Sequence, residues 1–227
     1  MIAAPPTYPR LAHLVGGRGS PDDLVLEVSA VEDLLGDEVV VEEKLDGANV
    51  VVWLDENGRL QSGLRGGPDT MDRAGQRGPL RAWVSAHEGS LRTALALSPV
   101  LYGEWMLLTH SVAYDRLQSY FVVLDLWRPA EGFATFDERG VVCSGAGLVH
   151  PPEVWRGTAG SVRAVERLLG DSRWGSAPAE GLVVRRVGPG EPRLAKLVRE
   201  GFDQVTDDSW QRGRPHNRLA PGETSWR

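Results

Sequence analysis

Lysine is scarce in this sequence. Of its 25 basic side chains only Lys44 and Lys196 are lysines, and the rest are arginine. Arginine carries the same charge but cannot give up its proton near neutral pH, so the positions that keep lysine are where the chemistry of an amine is to be sought. Cysteine is scarcer still. A single one, Cys143, excludes an internal disulfide framework and a cysteine-only metal site, and fits a reducing cytoplasm. No apolar run approaches the ~18 residues that a membrane-spanning helix needs. Residues 1–10 lack a basic segment followed by an apolar one, so neither a secretory leader nor an anchor is expected. The five histidines, His13, His87, His110, His150 and His216, show no metal-ligand spacing. Internal repeats and low-complexity linkers are absent as well.

What remains is ordinary in bulk and uneven in detail. The 227 residues are 41% hydrophobic and 25% charged, the composition of a globular chain with a sizeable core. The net charge of -6 argues against a surface that coats nucleic acid indiscriminately. The charge is segregated, however. Residues 21–46 hold ten acids and one lysine, residues 59–81 five arginines and two aspartates, and residues 181–218 eight basic and five acidic side chains. That arrangement suits a protein with one face for an anion.

Patterning predicts a short helix over Ser29–Leu35 and strands over Glu38–Glu43 and Ala48–Leu54. A turn at Asp55–Gly58 leads to a third strand ending at Leu64. After a polar loop, one helix is expected from Pro79 to about Leu97, with Leu80, Trp83, Val84, Leu91 and Leu95 as its apolar stripe. Strands are expected over Val100–Leu107 and Tyr120–Trp127, and loops over 129–160. A helix capped by Ser161 should run from Val162 to Leu169, followed by a strand pair, Glu180–Val187 and Arg193–Val198. Strands outnumber helices and hairpins join them, so the fold class is antiparallel-rich α+β. A single domain is expected over 1–227. The motifs lie within 40–200, and 201–227 supplies a short helix from Asp203 to about Arg212 and a basic tail.

The centre of the case is the octet Glu42-Glu43-Lys44-Leu45-Asp46-Gly47-Ala48-Asn49. A lysine between two β-type runs, followed by a turn dipeptide, is held at a strand end. To act as a nucleophile it must lose its proton, which requires a pKa below the usual ~10.4. Alone, the octet fits a hairpin with a surface lysine equally well. Glu104 inside Leu101–Met106, Glu180 before Gly181–Val184 and Lys196 within Arg193–Leu197 all place charge in apolar strands, which is costly without a partner. Two carboxylates, two lysines and Arg65 together suggest a metal–phosphate site, the other reading being a set of buried ion pairs.

The series KLDGAN (44–49), LYGEWM (101–106), FVVLDLW (121–127), EGLVVRR (180–186) and LAKLVRE (194–200) resembles, in order and spacing, motifs I, III, IIIa, IV and V of the covalent nucleotidyltransferases. These are the ATP-dependent DNA and RNA ligases and the mRNA capping enzymes. Asn49, two residues after the motif I glycine, is similar to the RNA ligase 2-like branch. QSGLRGG (61–67) would be motif Ia, with Arg65 its arginine. The resemblance covers roughly residues 8–210 and implies the nucleotidyltransferase fold, ATP-grasp-like, of those enzymes.

It also implies a mechanism. Lys44 would attack the α-phosphate of ATP, expel pyrophosphate and hold AMP as a phosphoramidate. The AMP would pass to a polynucleotide 5′-phosphate, and a 3′-hydroxyl would displace it. Mg²⁺ or Mn²⁺ and Lys196 would neutralise the phosphate, with Glu104 and Glu180 positioning the metal through its waters. Asp46 and Arg65 would contact ribose or phosphates, and Glu42 or Glu43 the adenine edge. Leu45 would line the nucleotide pocket and Asn49 would orient the triphosphate. Where the family often stacks an aromatic on adenine, this chain has Leu124, with Phe121 three residues earlier. Where motif V often has two lysines, it has Leu194 and then Lys196, with Arg193 and Arg199 as nearby cations. Nucleic-acid contacts would fall to Arg185, Arg199 and Trp210.

Only 27 residues follow Glu200, so an appended C-terminal domain is not expected, and a partner protein could supply its role. The substrate implied is nucleic acid with 5′-phosphate and 3′-hydroxyl ends, RNA in preference, without a membrane. Two alternatives stay open: a capping-type guanylyltransferase using GTP, and an end-binding module that does not seal.

Overall fold

Runs of β-branched residues set the strands. The computed structural model describes residues 2–16, 23–64, 75–188, 193–202 and 214–223. In chain order its elements are α1 (Val28–Gly36), β1 (Glu38–Lys44), β2 (Ala48–Leu54), β3 (Leu60–Leu64), α2 (Arg77–Ala86), α3 (Glu88–Leu97), β4 (Val100–Trp105), β5 (Phe121–Arg128), β6 (Gly132–Phe133), α4 (Phe136–Ala146), β7 (Glu153–Thr158), α5 (Val162–Glu166), β8 (Gly181–Arg186) and β9 (Leu194–Val198). All strand pairs are antiparallel, as the α+β expectation requires. No described helix is long and apolar enough to cross a membrane.

The chain forms two compact units. One comprises the described residues of 9–45 and 151–203. Its sheet has the order β7-β1-β8-β9. Val39 and Val41 of β1, Leu182 and Val184 of β8, and Ala195 and Leu197 of β9 pack with Leu34 and Leu35 of α1 and Val165 of α5. Each valine or leucine side chain so taken from water contributes roughly 1.5–3 kcal/mol.

The other unit comprises the described residues of 1–8, 46–150 and 204–227. Its sheet has the order β3-β2-β4-β5-β6. Val50, Val52, Leu101, Trp105, Phe121 and Val123 face Leu80, Trp83, Leu91 and Leu95 of α2 and α3 and Val142 of α4. Tyr8, Val100 and Tyr102 form a smaller cluster with Val51, Trp53 and Leu124.

Three elements differ from the sequence-based expectation. The stripe Leu80 to Leu95 is buried as expected, but two helices carry it. The chain breaks at His87, whose ring stacks on Trp83 at 4.0 Å while its Nδ1 meets the Trp83 carbonyl at 2.8 Å. The segment 129–160 is not loop but holds β6, α4 and β7. Helix α4 carries two glycines, which weaken its helical signal, yet a capping box starts it. The Thr135 Oγ1 accepts from the Glu138 N–H at 3.3 Å, and the Glu138 carboxylate accepts from the Thr135 N–H at 2.8 Å. Helix α5 ends at Glu166, earlier than expected. The helix expected over 203–212 and the Gly188–Gly190 turn's last two residues lie outside the described residues.

Candidate active site

Strand β1 delivers Lys44 as its last residue. Side chains alternate across a strand. With Val39, Val41, Leu182, Val184, Ala195 and Leu197 facing the helices, Glu42, Lys44, Arg185 and Lys196 stand on the opposite face. The register agrees: Lys44 opposes Gly181, and Glu42 opposes Val183, which in turn opposes Lys196. The two lysines of the chain therefore share one face of one sheet.

Lys44 Nζ donates to Glu180 Oε2 at 2.8 Å, with the lysine side chain 21% exposed and the glutamate 2%. Glu180 sits immediately before β8, and its neighbour must be glycine, since a Cβ on Gly181 would run into the Leu197 carbonyl. Arg199 braces the same point. Its N–H donates to the Glu180 carbonyl at 2.9 Å and its Nε to the Ala179 carbonyl at 3.2 Å. Arg185 is buried, with its Nε 3.1 Å from Glu42 Oε2. Strand β8 is interior to the sheet, and Arg185 opposes Val40 on one side and Leu194 on the other. The structure thus places Arg185 and Arg199, expected on nucleic acid, against Glu42 and the Glu180 backbone.

Glu43 points the other way. Its Oε1 accepts from the Ser172 hydroxyl at 2.6 Å and its Oε2 from the Arg173 N–H at 2.7 Å. Burial pushes this carboxyl above its usual range, while the Ser172 and Arg173 hydrogen bonds pull it back. Leu45, which follows Lys44, is buried.

The octet contributes to both units: 42–45 to the first, 46–49 to the second. In the second unit Asp46 is an anchor. Its Oδ2 accepts from the N–H groups of Ser111 and Val112 at 2.6 and 2.8 Å, and its own N–H donates to Tyr114 Oη at 2.9 Å. The Gly47 N–H donates to Glu104 Oε1 at 3.1 Å. A Cβ on Gly47 would lie 2.7 Å from both Met106 Sδ and the Trp105 carbonyl oxygen, so the close approach needs glycine. Asn49 directly opposes Glu104. Both alternate with helix-facing residues and so lie on the sheet face that carries Tyr102 and Leu124.

Leu124 is the extra residue of a bulge: Tyr102 opposes Asp125, whereas Gly103 opposes Val123. Asp125 is buried and accepts from Tyr8 Oη at 2.5 Å. Phe121 is fully buried on the other face, its ring 5.1 Å from that of Trp83. It belongs to the helix-side core. Of the two residues considered for the position that stacks on adenine, Leu124 alone shares the Glu104 face. Arg65 and Trp210 lie outside the described residues.

Among the described residues no three His, Cys, Asp or Glu side chains gather as metal ligands. A hydrated cation held by one or two carboxylates and by nucleotide phosphates fits this donor set; an all-protein cage does not.

Several supporting residues escape sequence reading. Ser172 and Arg173 hold Glu43, while Tyr114, Ser111 and Val112 hold Asp46. Each lies 65 or more residues from its partner, and no motif spacing announces it.

The RNA ligase family model matches residues 37–198. No curated protein sequence matches the chain. Among solved structures, the Naegleria gruberi RNA ligase with PPi superposes with a TM-score of 0.54 at 19% identity, over 74% of this chain and 51% of that one. A mutant of that ligase with ATP and Mn gives 0.53 at 17%, over 74% and 51%. Another with ATP and Mn gives 0.52 at 15%, over 86% and 61%. At these identities the likeness concerns the fold. The chain spans about half the length of the first of these structures.

Proposed function

This chain belongs to the RNA ligase family, and on that premise we propose that it joins polynucleotide ends, RNA ends in preference, through a covalent lysyl–AMP formed at Lys44. The observation that carries the reading is the face shared by Lys44, Lys196 and Glu42, with the Glu180 carboxylate 2.8 Å from Lys44 Nζ. A buried carboxylate paired with a largely buried ammonium at a strand end is a poor stabiliser of a fold. It is well suited to an amine that must meet a phosphate.

In the first step Lys44 Nζ attacks the α-phosphorus of ATP. An N–P bond forms, the P–O bond to pyrophosphate breaks, and the Nζ proton leaves. A neighbouring carboxylate favours the ammonium; from that form Nζ must give up one proton before it attacks and a second as the N–P bond forms, and Glu180 Oε2 lies within reach of a departing proton. Lys196, on the same face, offers a compact positive charge to the phosphate. A divalent cation, Mg²⁺ or Mn²⁺, would add charge neutralisation at the triphosphate, with Glu180 the carboxylate beside Lys44 that would hold it through water; the motif resemblance gives Glu104 a like role. Asn49, beside Glu104, would orient the triphosphate. Leu124 offers adenine an apolar contact. AMP then passes to a 5′-phosphate, and a 3′-hydroxyl displaces it to seal the strand.

The test is incubation with ATP labelled at the α-phosphate, followed by denaturing electrophoresis. The wild-type protein should retain label, and ATP labelled at the γ-phosphate should leave none. Lys44→Ala and Lys44→Arg should both be blank, the second because a guanidinium cannot deprotonate. Retention of label by Lys44→Ala sinks the reading. Labelling by GTP and not ATP would move it to a capping-type enzyme.

A further inference from the structure

Asn217 lies far outside the nucleotidyltransferase motifs, yet it is 2% exposed. Its near neighbours Pro215, His216 and Arg218 are exposed, so they do not carry it into the protein. Hydrogen bonds do. Asn217 Oδ1 accepts from Thr109 Oγ1 and from the Tyr114 N–H, both at 2.9 Å. Its Nδ2 donates to the carbonyls of Met106 at 2.8 Å and Leu108 at 3.2 Å. That uses both lone pairs and both protons of the amide. Backbone bonds reinforce it. Thr109 N–H donates to Pro215, Asn217 N–H to Leu107 and Arg218 N–H to Tyr114, each at 2.9 Å. Arg214 Nη1 donates to the carbonyls of Thr109 and His110, both at 2.9 Å.

The segment laced in this way, 106–114, forms the support of the Asp46–Gly47 turn. Tyr114 Oη accepts from the Asp46 N–H, and the N–H groups of Ser111 and Val112 grip the Asp46 carboxylate. Met106 Sδ and the Trp105 carbonyl wall Gly47, whose N–H holds Glu104. Asn217 thus touches both ends of the support, and the links from the support to Asp46 are directed hydrogen bonds.

We infer that Asn217 is a positioning residue for adenylylation: the 214–220 segment is a strap that sets the Asp46–Gly47 turn and, through the Gly47 N–H, Glu104. The inference rests on the lysyl–AMP reading for its activity readout alone. Displacing a reacting group by about 1 Å costs about 10²-fold in rate.

The test uses the full chain. Asn217→Asp keeps the shape and the acceptor oxygen but turns the donating NH₂ toward the Met106 and Leu108 carbonyls into a second acceptor. It should slow single-turnover label transfer to Lys44 by about 10²-fold at a temperature well below its Tm. Arg214→Gln and Thr109→Val, which each weaken one part of the strap, should slow it less and keep the fold, so they decide the matter if Asn217→Asp does not fold. Val142→Ala, on the helix-side core, is the control for lost stability: it should lower Tm and leave the rate near wild type. Amide hydrogen exchange at Ser111 and Val112 should accelerate in the strap variants and not in Val142→Ala. Wild-type rates and wild-type exchange in folded strap variants overturn the inference, as does equal slowing by Val142→Ala at matched Tm. If the wild-type protein does not label, the covalent reading falls, and the exchange at Ser111 and Val112 still decides whether the strap holds the turn.

Discussion

Lys44 Nζ lies 2.8 Å from Glu180 Oε2, the first at the end of β1 and the second just before β8, 136 residues later in the chain. The pairing ties motif I to motif IV before any nucleotide arrives. It also defines two separable effects of removing the carboxylate. Glu180→Gln should cut the plateau rate of lysyl–AMP formation by about 10²-fold or more, because the proton acceptor and the charge for a cation are both lost. The acid limb of its pH–rate profile should move to lower pH, because a carboxylate favours the ammonium. Single-turnover labelling across pH measures both. A lower plateau with an unmoved acid limb would mean that Glu180 does not control the charge of Lys44.

Gly47→Ala should damage stability and activity together. Its Cβ would lie 2.7 Å from Met106 Sδ and the Trp105 carbonyl oxygen and 2.9 Å from Glu104 Cγ. Relief requires the β4 end to shift. Overpacking of this kind costs about 1–3 kcal/mol, readable as a lowered denaturant midpoint, with labelling reduced in protein that remains folded.

The buried pair of Arg185 and Glu42 makes a prediction of the opposite kind. Both side chains are under 5% exposed. Breaking the pair from one side, with Glu42→Ala or Arg185→Ala, leaves an uncompensated buried charge and should destabilise by about 3–5 kcal/mol. Replacing both by apolar residues should recover much of that. A double-mutant cycle on equilibrium unfolding checks it. An Arg185 that serves nucleic acid would instead show its defect in RNA binding with stability intact.

Tyr102 gives an alkaline signature. Burial, and secondarily the charge of Asp125, pushes its phenol up to about 12. Its hydroxyl donates to the Pro6 carbonyl at 2.6 Å. The folded state therefore keeps this proton where the unfolded chain, near 10, has lost it. The resulting stability is fully present below pH 10 and is lost as pH rises toward 12. Thermal unfolding across that window should show a steeper loss for the wild-type protein than for Tyr102→Phe.

The strands that carry the motifs were legible in the sequence because their signals are local. EVVVEE and ANVVVWL are β-branched runs with a turn dipeptide between them, and β1 and β2 follow those limits closely. Lys196 stands out as a charge within an apolar strand, and Lys44 and Glu180 stand out as charges at the ends of β-type runs. The break at His87 was not legible, since it depends on a ring stacking on Trp83 and on a side-chain bond to that residue's carbonyl. Helix α4 was missed although Thr135 and Glu138 spell a capping box, because two glycines dilute the pattern. For Asp46 the motif resemblance names a ribose or phosphate contact and says nothing of its backbone anchors. The structure shows its Oδ2 holding two backbone amides more than 60 residues away, and periodicity carries no information at that range.

The central claim is that Lys44 forms a bond to AMP. The most direct measurement is mass spectrometry of the full chain after incubation with ATP and Mg²⁺ or Mn²⁺, followed by peptide mapping. A mass gain of one AMP should map to the peptide containing Lys44, disappear in acid as a phosphoramidate does, and disappear when pyrophosphate is added back. AMP found on any other residue, or no adduct with either metal while the protein is folded, would contradict the account.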